Sequence, residues 1–406
     1  MVGDSMGLFA VIIDHARAGA EPDREHPREQ AETRSCKGAR RWVGAGSAIG
    51  LSLWLASASA SADPFRIATY AAPLSREGPG LLLKDIVSGQ DKGITAIVDV
   101  ISAADPDLLL LTDFDHDAGL AALNAFADLL AKRGTAYPFR FALPSNAGLP
   151  TGLDMDGNGA LGEARDAMGY GDFRGNGGMA LLSRVPIDTD NVADFTGLLW
   201  RDLPGAQMPQ LNGRPFPSEE ALAIQRLASA GFWIVPMLPE GEPPFALLAS
   251  AATTPAFDGP EDRNGLRNRD EIRFWSLYLD GAFGAAPSSF VLAAKLNADP
   301  EDGDGDHATI RALLSDPRLQ DPRPASAGGA WAADPSHRGD PSLDTAAWPG
   351  SPQGNLRVSY VLPSADWTVT GAGVIWPAPE DPMSALLGED GQLAGPHRLV
   401  WVELRR

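Results

Sequence analysis

The stretch Phe257–Trp275, FDGPEDRNGLRNRDEIRFW, decides the fold of this chain. Its second half predicts a helix over residues 268–280, with Phe274 and Trp275 on the buried face. The first half mixes acids, arginines and asparagines, and acids or Asn at such a position are typical of a helix N-cap. We therefore favour a structural role for these polar residues. A contact with a ligand at the rim of a site is the alternative.

Strand patterns flank this helix on both sides. Phe232–Pro236 and Phe245–Ser250 precede it, and Phe290–Leu296 follows it. Nearer the N-terminus, Phe65–Tyr70 alternates between apolar and polar residues, while Leu108–Thr112 is an apolar run typical of a buried strand. The other predicted strands are Gly178–Ser183, Leu356–Leu362, Trp367–Val374 and Leu399–Leu404, and the other predicted helices cover residues 94–102, 118–132, 218–229 and 306–314. Strand pairs separated by helices favour two packed sheets flanked by helices, although a doubly wound sheet gives a similar pattern.

The first 62 residues indicate a targeting segment rather than part of the fold. Lys37–Arg41 is basic, Val43–Ala56 is mostly apolar, and small residues of the A-x-A type occupy 58–62. The apolar stretch is too short for a stable membrane span. We predict that export removes about residues 1–62 and that residues 63–406 form one domain, located in the periplasm or secreted. A twin-arginine signal and an ordinary buried helix are the alternatives.

Composition limits the partners and the chemistry of this domain. Residues 63–406 contain 26 basic and 46 acidic residues and so carry the whole net charge of −20. Such a surface repels phosphate backbones, which disfavours binding to DNA or RNA. The one cysteine, Cys36, precedes the predicted cleavage site. The domain therefore has neither a disulfide nor thiol chemistry, and its stability must come from its core.

Five stretches in order resemble the core motifs of the endonuclease/exonuclease/phosphatase superfamily, and in particular an exported bacterial branch of it. They are RIATYA at Arg66–Ala71, Phe257–Trp275, LNADP at Leu296–Pro300, NLRVSYVLP at Asn355–Pro363 and HRLVW at His397–Trp401. The resemblance implies an α/β fold, a four-layer sandwich of two packed, mainly antiparallel β-sheets flanked by helices. It also implies phosphoester hydrolysis, in which carboxylates and an amide hold Mg²⁺ or Mn²⁺ and a histidine paired with a carboxylate activates water.

Most of the positions that carry this family's chemistry hold other residues here. The resemblance implies five losses: Ala71 for an Asn, Ala251 for a His, Lys295 and Ser359 for Asp, and Pro396 for the Asp that orients the last His. It implies three remnants, with Asn297 and His397 on the catalytic side and Asp113 at the position of a metal-binding Glu. The side chain of Asp113 is one methylene shorter than Glu, so it reaches less far towards a metal. Lys295 could stand where the metal stood, or it could extend to solvent.

An acidic loop points to a different metal. Asp154, Asp156 and Asn158 alternate before Gly159, as in the first half of an EF-hand Ca²⁺ loop. The twelfth position, which is a bidentate acid in an EF-hand, is Arg165. The loop is therefore either a Ca²⁺ site or a polar loop of Asx turns. A second acid-rich segment, residues 299–306, has looser spacing and is typical of a solvated loop.

These observations favour a catalytically impaired relative that acts as an exported binding or scaffold protein. The alternative is an active, divalent-metal-dependent phosphoesterase that recruits acids from residues 154–163 or 299–306. A third reading is a calcium-stabilised structural domain. The missing ligands support the first, because descent from an enzyme does not restore an activity whose residues are absent. Whether the chain is an enzyme stays open at this stage, and the sequence points to no particular substrate or partner.

Overall fold

The computed structural model describes residues 64–406. Within this range eleven strands form two sheets. The strands are β1 Phe65–Leu74, β2 Leu108–Phe114, β3 Phe139–Phe141, β4 Gly178–Ser183, β5 Ala193–Asp194, β6 Phe232–Met237, β7 Phe245–Ala251, β8 Phe290–Lys295, β9 Ser359–Pro363, β10 Thr368–Val374 and β11 Val400–Arg405. The helices are α1 Leu81–Ser88, α2 Lys92–Ala104, α3 Ala121–Lys132, α4 Glu219–Ile224, α5 Arg263–Leu279, α6 His307–Leu314 and α7 Ala327–Trp331. Two short ribbons stand apart, Gln210–Leu211 with Arg214–Pro215 and Ala346–Ala347 with Asn355–Leu356.

The two sheets are mixed but mainly antiparallel. The first has the order β10-β11-β1-β2-β4-β3, and the second has the order β9-β8-β7-β6-β5. Each sheet contains one parallel pair, β1 with β2 and β7 with β8, and the other neighbours are antiparallel. The predicted two-sheet fold is therefore confirmed, and the doubly wound alternative is wrong.

Side chains that alternate between the two faces of the second sheet pack into two separate cores, and this arrangement gives the fold its layers. On β6, Trp233 and Val235 belong to the core between the sheets, whereas Phe232 and Ile234 belong to a second core. Successive side chains point to opposite faces of a strand, so a strand that is buried on both faces supplies two cores at once. The first core also takes in α1, α2 and α3, and the second lies under α5 and α6. Four layers result, as the resemblance implies.

Helix α5 begins at Arg263, five residues before its predicted start. Its buried face is strongly polar. Arg267 donates hydrogen bonds to four backbone carbonyls, and Glu271 accepts the backbone N–H groups of Ser229 and Thr253 at 2.6 and 2.7 Å. Burial raises the pKa of Glu271. The favoured structural role of this stretch is confirmed, because its charges fix the loops next to β6 and β7.

Other predicted elements agree with the structure apart from their ends. Ser218 caps α4 by accepting the N–H of Ala221 at 3.1 Å, but the helix ends at Ile224 rather than at residue 229. The predicted leader and cleavage site in residues 1–62 lie outside the described residues. No helix in residues 64–406 combines the length and the apolar character that spanning a membrane requires.

Candidate functional site

The ends of several strands from both sheets meet at one edge of the sandwich. In the second sheet, Lys295 at the end of β8 lies in register with Ala251 on β7 and Ser359 on β9. In the first sheet, Asp113 lies near the end of β2, next to the position where Thr112 pairs with Ala71 on β1. The family positions identified in the sequence are thus close together, but the residues that occupy them are different.

An ion pair joins the two sheets at this edge. The Lys295 Nζ lies 2.8 Å from both Oδ1 and Oδ2 of Asp113. The Lys295 side chain is only 12% exposed, so it does not extend to solvent. Asp113 has a left-handed backbone, with φ of 61°, within an irregularity of the β2–β4 ladder. This bend directs the short carboxylate to the ammonium, which engages both of its oxygens.

His397 is the third member of this cluster, which we call the strand-end site (Asp113, Lys295 and His397). The residue is 9% exposed, and its imidazole packs edge-on against Trp348, with ring centroids 5.4 Å apart. No residue between 64 and 406 forms a hydrogen bond with its Nδ1, which is buried. Burial, and next the Lys295 cation, lower the pKa of His397 to about 3. The imidazole is therefore neutral at pH 7 and only weakly basic, whereas a general base works best with a pKa near the working pH.

Asn297 lies two residues beyond Lys295 but is occupied elsewhere. Its backbone is left-handed, with φ of 52°, and its Nδ2 donates to the carbonyl of Ala252 at 2.8 Å. This hydrogen bond ties the loop after β8 to the end of β7. The structure thus brings Asp113, Lys295 and His397 together and gives the Asn297 amide a structural contact.

A second carboxylate near Asp113 is also committed to the fold. Asp115 is 5% exposed and accepts the backbone N–H groups of Arg76 and Gly177 at 2.9 and 3.0 Å, together with the Asn176 side chain. Sequence reasoning overlooked this residue, although its position two residues after Asp113 was a signal. It fixes the loops around the first sheet and does not replace a lost ligand.

The residues at this edge do not fit Mg²⁺ or Mn²⁺. Such a cation requires several oxygen ligands in near-octahedral geometry. Here the ammonium of Lys295 holds both oxygens of Asp113, and Asp115 accepts backbone amides. Ala71 and Ala251 offer no side-chain ligand, and the hydroxyl of Ser359 is buried without a hydrogen-bond partner in the described part of the chain.

The loop Asp154–Asp166 is a separate acidic cluster. Asp154, Asp156 and Asp166 each place one carboxylate oxygen within 4.8 Å of the others. Asp166 immediately follows Arg165, and EF-hand spacing made the sequence analysis miss it. Asn158 contributes differently, because its Nδ2 donates to Asp156 at 3.2 Å.

Backbone N–H groups of this loop donate hydrogen bonds to its carboxylates and stabilise their negative charge. Asp154 accepts the N–H groups of Gly157 and Gly159 at 2.6 and 2.8 Å, and the buried Asp166 accepts those of Met155 and Glu163 at 2.8 and 3.1 Å. Burial by itself would raise the pKa of Asp154, but these amide hydrogen bonds outweigh it and lower that pKa. Asp154 is thus held ionised at close range to the carboxylates of Asp156 and Asp166, an arrangement that a hard cation such as Ca²⁺ stabilises.

Similarity to solved structures is low in sequence but covers most of the chain. No curated protein matches the chain. Among solved structures, an endonuclease/exonuclease/phosphatase from Beutenbergia cavernae is 18% identical with a TM-score of 0.50, covering 84% of this chain and 72% of its own. A sphingomyelinase C from Streptomyces griseocarneus is 16% identical with a TM-score of 0.44, covering 84% and 99%. A mannosyl-6-phosphatase from Bacteroides thetaiotaomicron is 13% identical with a TM-score of 0.43, covering 84% and 100%.

The family model gives the assignment. The model of the Endonuclease/Exonuclease/phosphatase family matches residues 87–391, which is most of the chain. This span contains the parallel strand pair of the second sheet, helix α5 and two of the three residues of the strand-end site, Asp113 and Lys295. Since the matched span and the two-sheet fold lead to the same conclusion, this chain belongs to the Endonuclease/Exonuclease/phosphatase family.

Proposed function

We propose that this protein is a hydrolytically impaired member of its family that acts by binding, as an exported binding or scaffold protein. The observation that carries the proposal is the ion pair of Lys295 with both carboxylate oxygens of Asp113, each at 2.8 Å. Members of the family generally use divalent metal ions. An ammonium supplies one positive charge and hydrogen-bond donors, but it has no open coordination position for water or for a phosphate oxygen.

The neighbouring residues add to this argument. His397 is held neutral and weakly basic by burial and by the Lys295 cation, and Pro396 occupies the position of its orienting carboxylate. General acid–base help contributes about 10²–10⁴-fold to a rate, and metal stabilisation adds several kcal/mol. Without both contributions, little hydrolysis of phosphoesters remains.

The alternative, an active metal-dependent phosphoesterase, would require carboxylates from elsewhere. Asp299, the first acid of the 299–306 segment, already accepts the backbone N–H groups of Glu301, Asp302 and Arg357. That leaves this acid poorly placed to serve as a metal ligand. What favours activity is the survival of Asp113 and His397 at one strand edge of the family fold.

Hydrolysis assays separate the two functions. The full chain is assayed with bis(p-nitrophenyl) phosphate and p-nitrophenyl phosphate in Mg²⁺, Mn²⁺ and Ca²⁺, beside the Asp113→Ala variant. We expect no metal-dependent turnover above that variant. Robust turnover that Asp113→Ala or His397→Ala abolishes would establish the phosphoesterase instead. As a gain-of-function control, Lys295→Asp, Ala251→His and Pro396→Asp together should raise Mg²⁺ affinity before they raise the rate.

For the 154–166 loop we propose Ca²⁺ as the bound ion, with Asp154, Asp156 and Asp166 as ligands. The three oxygens within 4.8 Å support this proposal, because Ca²⁺ takes oxygen ligands at about 2.3–2.6 Å in flexible geometry. The role would be structural. The negative charge of −20 favours a partner other than nucleic acid, and the sequence features of residues 37–62 support a periplasmic or secreted location.

A further inference from the structure

A cavity of about 390 Å³ opens between the start of the 299–306 segment and the segment Arg338–Asp344. Among the described residues, its lining includes four arginines and five acids but none of the three residues of the strand-end site. We call it the Asp344 cavity. Asp344 follows a short 3₁₀ turn at Pro341–Leu343 and precedes Thr345, whose carbonyl accepts the backbone N–H of Arg398. The cavity is therefore distinct from the strand-end site, although the residue after Asp344 contacts Arg398, next to His397.

The Asp344 side chain is the unusual group in this cavity. Asp344 is 8% exposed, and no residue in the range 64–406 donates a hydrogen bond to its carboxylate or forms an ion pair with it. A buried carboxyl without a partner is costly, and native structures usually satisfy such groups. Since the Asp344 carboxyl lines an open cavity, a bound molecule that enters the cavity can supply the missing hydrogen-bond donor.

The arginines of the lining do not fill that need, because each already has a partner. The partners are Asp321 for Arg357, Asp340 for Arg323, the Glu301 carboxylate for Arg311 and the Glu301 carbonyl for Arg338. Asp299 accepts three backbone N–H groups. Asp344 is thus the acid of the lining that has neither a hydrogen-bond donor nor a cation as a partner in the described chain.

The surroundings of Asp344 are electrically negative. Burial, and then the carboxylates of Asp299, Asp302 and Asp340, raise the pKa of Asp344 to about 8. An incoming cation would gain from this negative field, and an anion such as phosphate would be repelled.

The arrangement of the acids in the cavity favours an organic cation over a metal ion as the ligand. A hard divalent ion needs several carboxylate or carbonyl oxygens around one point. Within residues 64–406, the group of three acids close enough for this is Asp154, Asp156 and Asp166, which lies elsewhere. The Asp344 cavity therefore offers one free carboxyl in a volume large enough for a small organic molecule.

We propose that the Asp344 cavity binds a small organic ammonium ion of the class of amino alcohols and amino sugars, with its ammonium donating to Asp344. The ligand's hydroxyls match the rest of the lining, where guanidinium groups and carboxylates offer both donors and acceptors. Leu314 and Leu343 supply the apolar contacts for its carbon chain. This binding is independent of the chemistry at the strand-end site.

Calorimetric titration of the full chain tests the proposal with a matched pair of probes. The first is glucamine, an open-chain polyol with a primary amine, and the second is sorbitol, the same polyol without the amine. We expect saturable binding of glucamine at about pH 8.5, where Asp344 is mostly ionised and a primary amine still carries its proton. Sorbitol should bind about tenfold more weakly or worse, since a charge-assisted hydrogen bond is lost. Equal affinities, or no saturable binding of glucamine, would overturn the proposal.

A substitution assigns the effect to the residue. Asp344→Asn keeps the shape and removes the charge, so glucamine should bind about tenfold more weakly or worse, while sorbitol should change little. Asp190→Asn removes one exposed acid outside the cavity and is the matched control, with an expected change of less than about twofold. Glucamine binding that survives Asp344→Asn would place the ligand elsewhere and contradict the assignment. The comparison of glucamine with sorbitol on the unmodified chain decides the matter even if the variant folds poorly.

Discussion

Helix α5 and the strand-end site both contain buried polar groups, but their charges are satisfied by different kinds of partner. On α5, Asp270 accepts the indole N–H of Trp200 at 2.8 Å and the guanidinium of Arg273 at 2.7 Å, and Arg267 bonds to four carbonyls. At the strand edge, the hydroxyl of Ser359 and the Nδ1 of His397 are buried without partners in the described chain. Charges that hold loops keep complete sets of hydrogen bonds. At the strand edge the charges pair with each other instead, and the two neutral groups beside them have no partner.

The largest expected effect tests the structural half of this comparison. Arg267→Met should lower the free energy of unfolding by about 3–5 kcal/mol, because four buried carbonyls and the charge of Glu271 lose their cation. Urea unfolding followed by tryptophan fluorescence measures the change. Arg133→Met is the control, since that arginine is half exposed and pairs with Asp99 at the surface, where a pair contributes at most about 1 kcal/mol. Equal losses of unfolding free energy in the two variants would show that the buried hydrogen bonds of Arg267 contribute no more than a surface ion pair.

The 154–166 loop differs from both regions, because its acids lie close to one another and we expect a Ca²⁺ ion to stabilise them. At a Ca²⁺ concentration of about 100 times the dissociation constant, binding should add about 2.7 kcal/mol to the free energy of unfolding. The melting temperature should therefore rise with millimolar Ca²⁺ and should fail to rise in Asp166→Asn. Asp190→Asn should keep the full shift. If Ca²⁺ leaves the melting temperature of the unmodified chain unchanged, the loop does not bind the ion and is a polar loop of Asx turns.

A smaller effect is expected at the strand-end site. Lys295→Met should lower the free energy of unfolding by about 1–2 kcal/mol, between the values for an exposed ion pair and a fully buried one, because Asp113 is 35% exposed. Asp113→Asn together with Lys295→Met should recover most of that loss, as both charges are then gone. Denaturant midpoints of the two single variants and the double variant give the coupling energy. A coupling energy near zero would mean that the pair does not join the sheets.

The last expected effect is a gradual dependence on pH. The folded pKa of Asp344, about 8, lies above its ordinary value of 3.8, so its contribution to stability is present below about pH 4 and is lost as the pH rises towards 8. The slope is at most about 1.4 kcal/mol per pH unit. Asp344→Asn should remove this slope. His397 titrates in an overlapping range with the opposite sign, but it is present in both proteins, so the difference between their unfolding curves isolates Asp344. Identical pH profiles would show that Asp344 is solvated.

Much of the fold followed from the sequence because it depends on periodicity. The apolar run of β2 and the paired strands of the second sheet predicted the two-sheet sandwich. The start of α5 was placed five residues late, since its first turns carry Asn264, Gly265 and Arg267, which are not an apolar stripe. The buried face of that helix is made of charges, and burial of a charge depends on partners that are distant in sequence.

The site was predicted less completely, for reasons that concern side-chain geometry. The substitutions at the strand edge were readable as residue types, but whether Lys295 turned to Asp113 or to solvent depends on how the two sheets face each other. Asp166 was missed because a fixed spacing was applied to a loop whose turns shift the register by one residue. Asp344 was not recognised because it stands alone in a long loop, where no pattern distinguishes it from a surface acid.

The contact between Lys295 and Asp113 makes one edge of the sandwich independent of the metal supply. When a chelator removes a bound cation, the carboxylates that surrounded the cation repel one another. A sheet edge held together by a metal ion therefore becomes less stable. Here the balancing charge is covalently part of β8, and the second sheet cannot lose it to the surroundings. Chelators such as EDTA should therefore leave this edge unchanged, and any softening that they cause should be confined to the 154–166 loop.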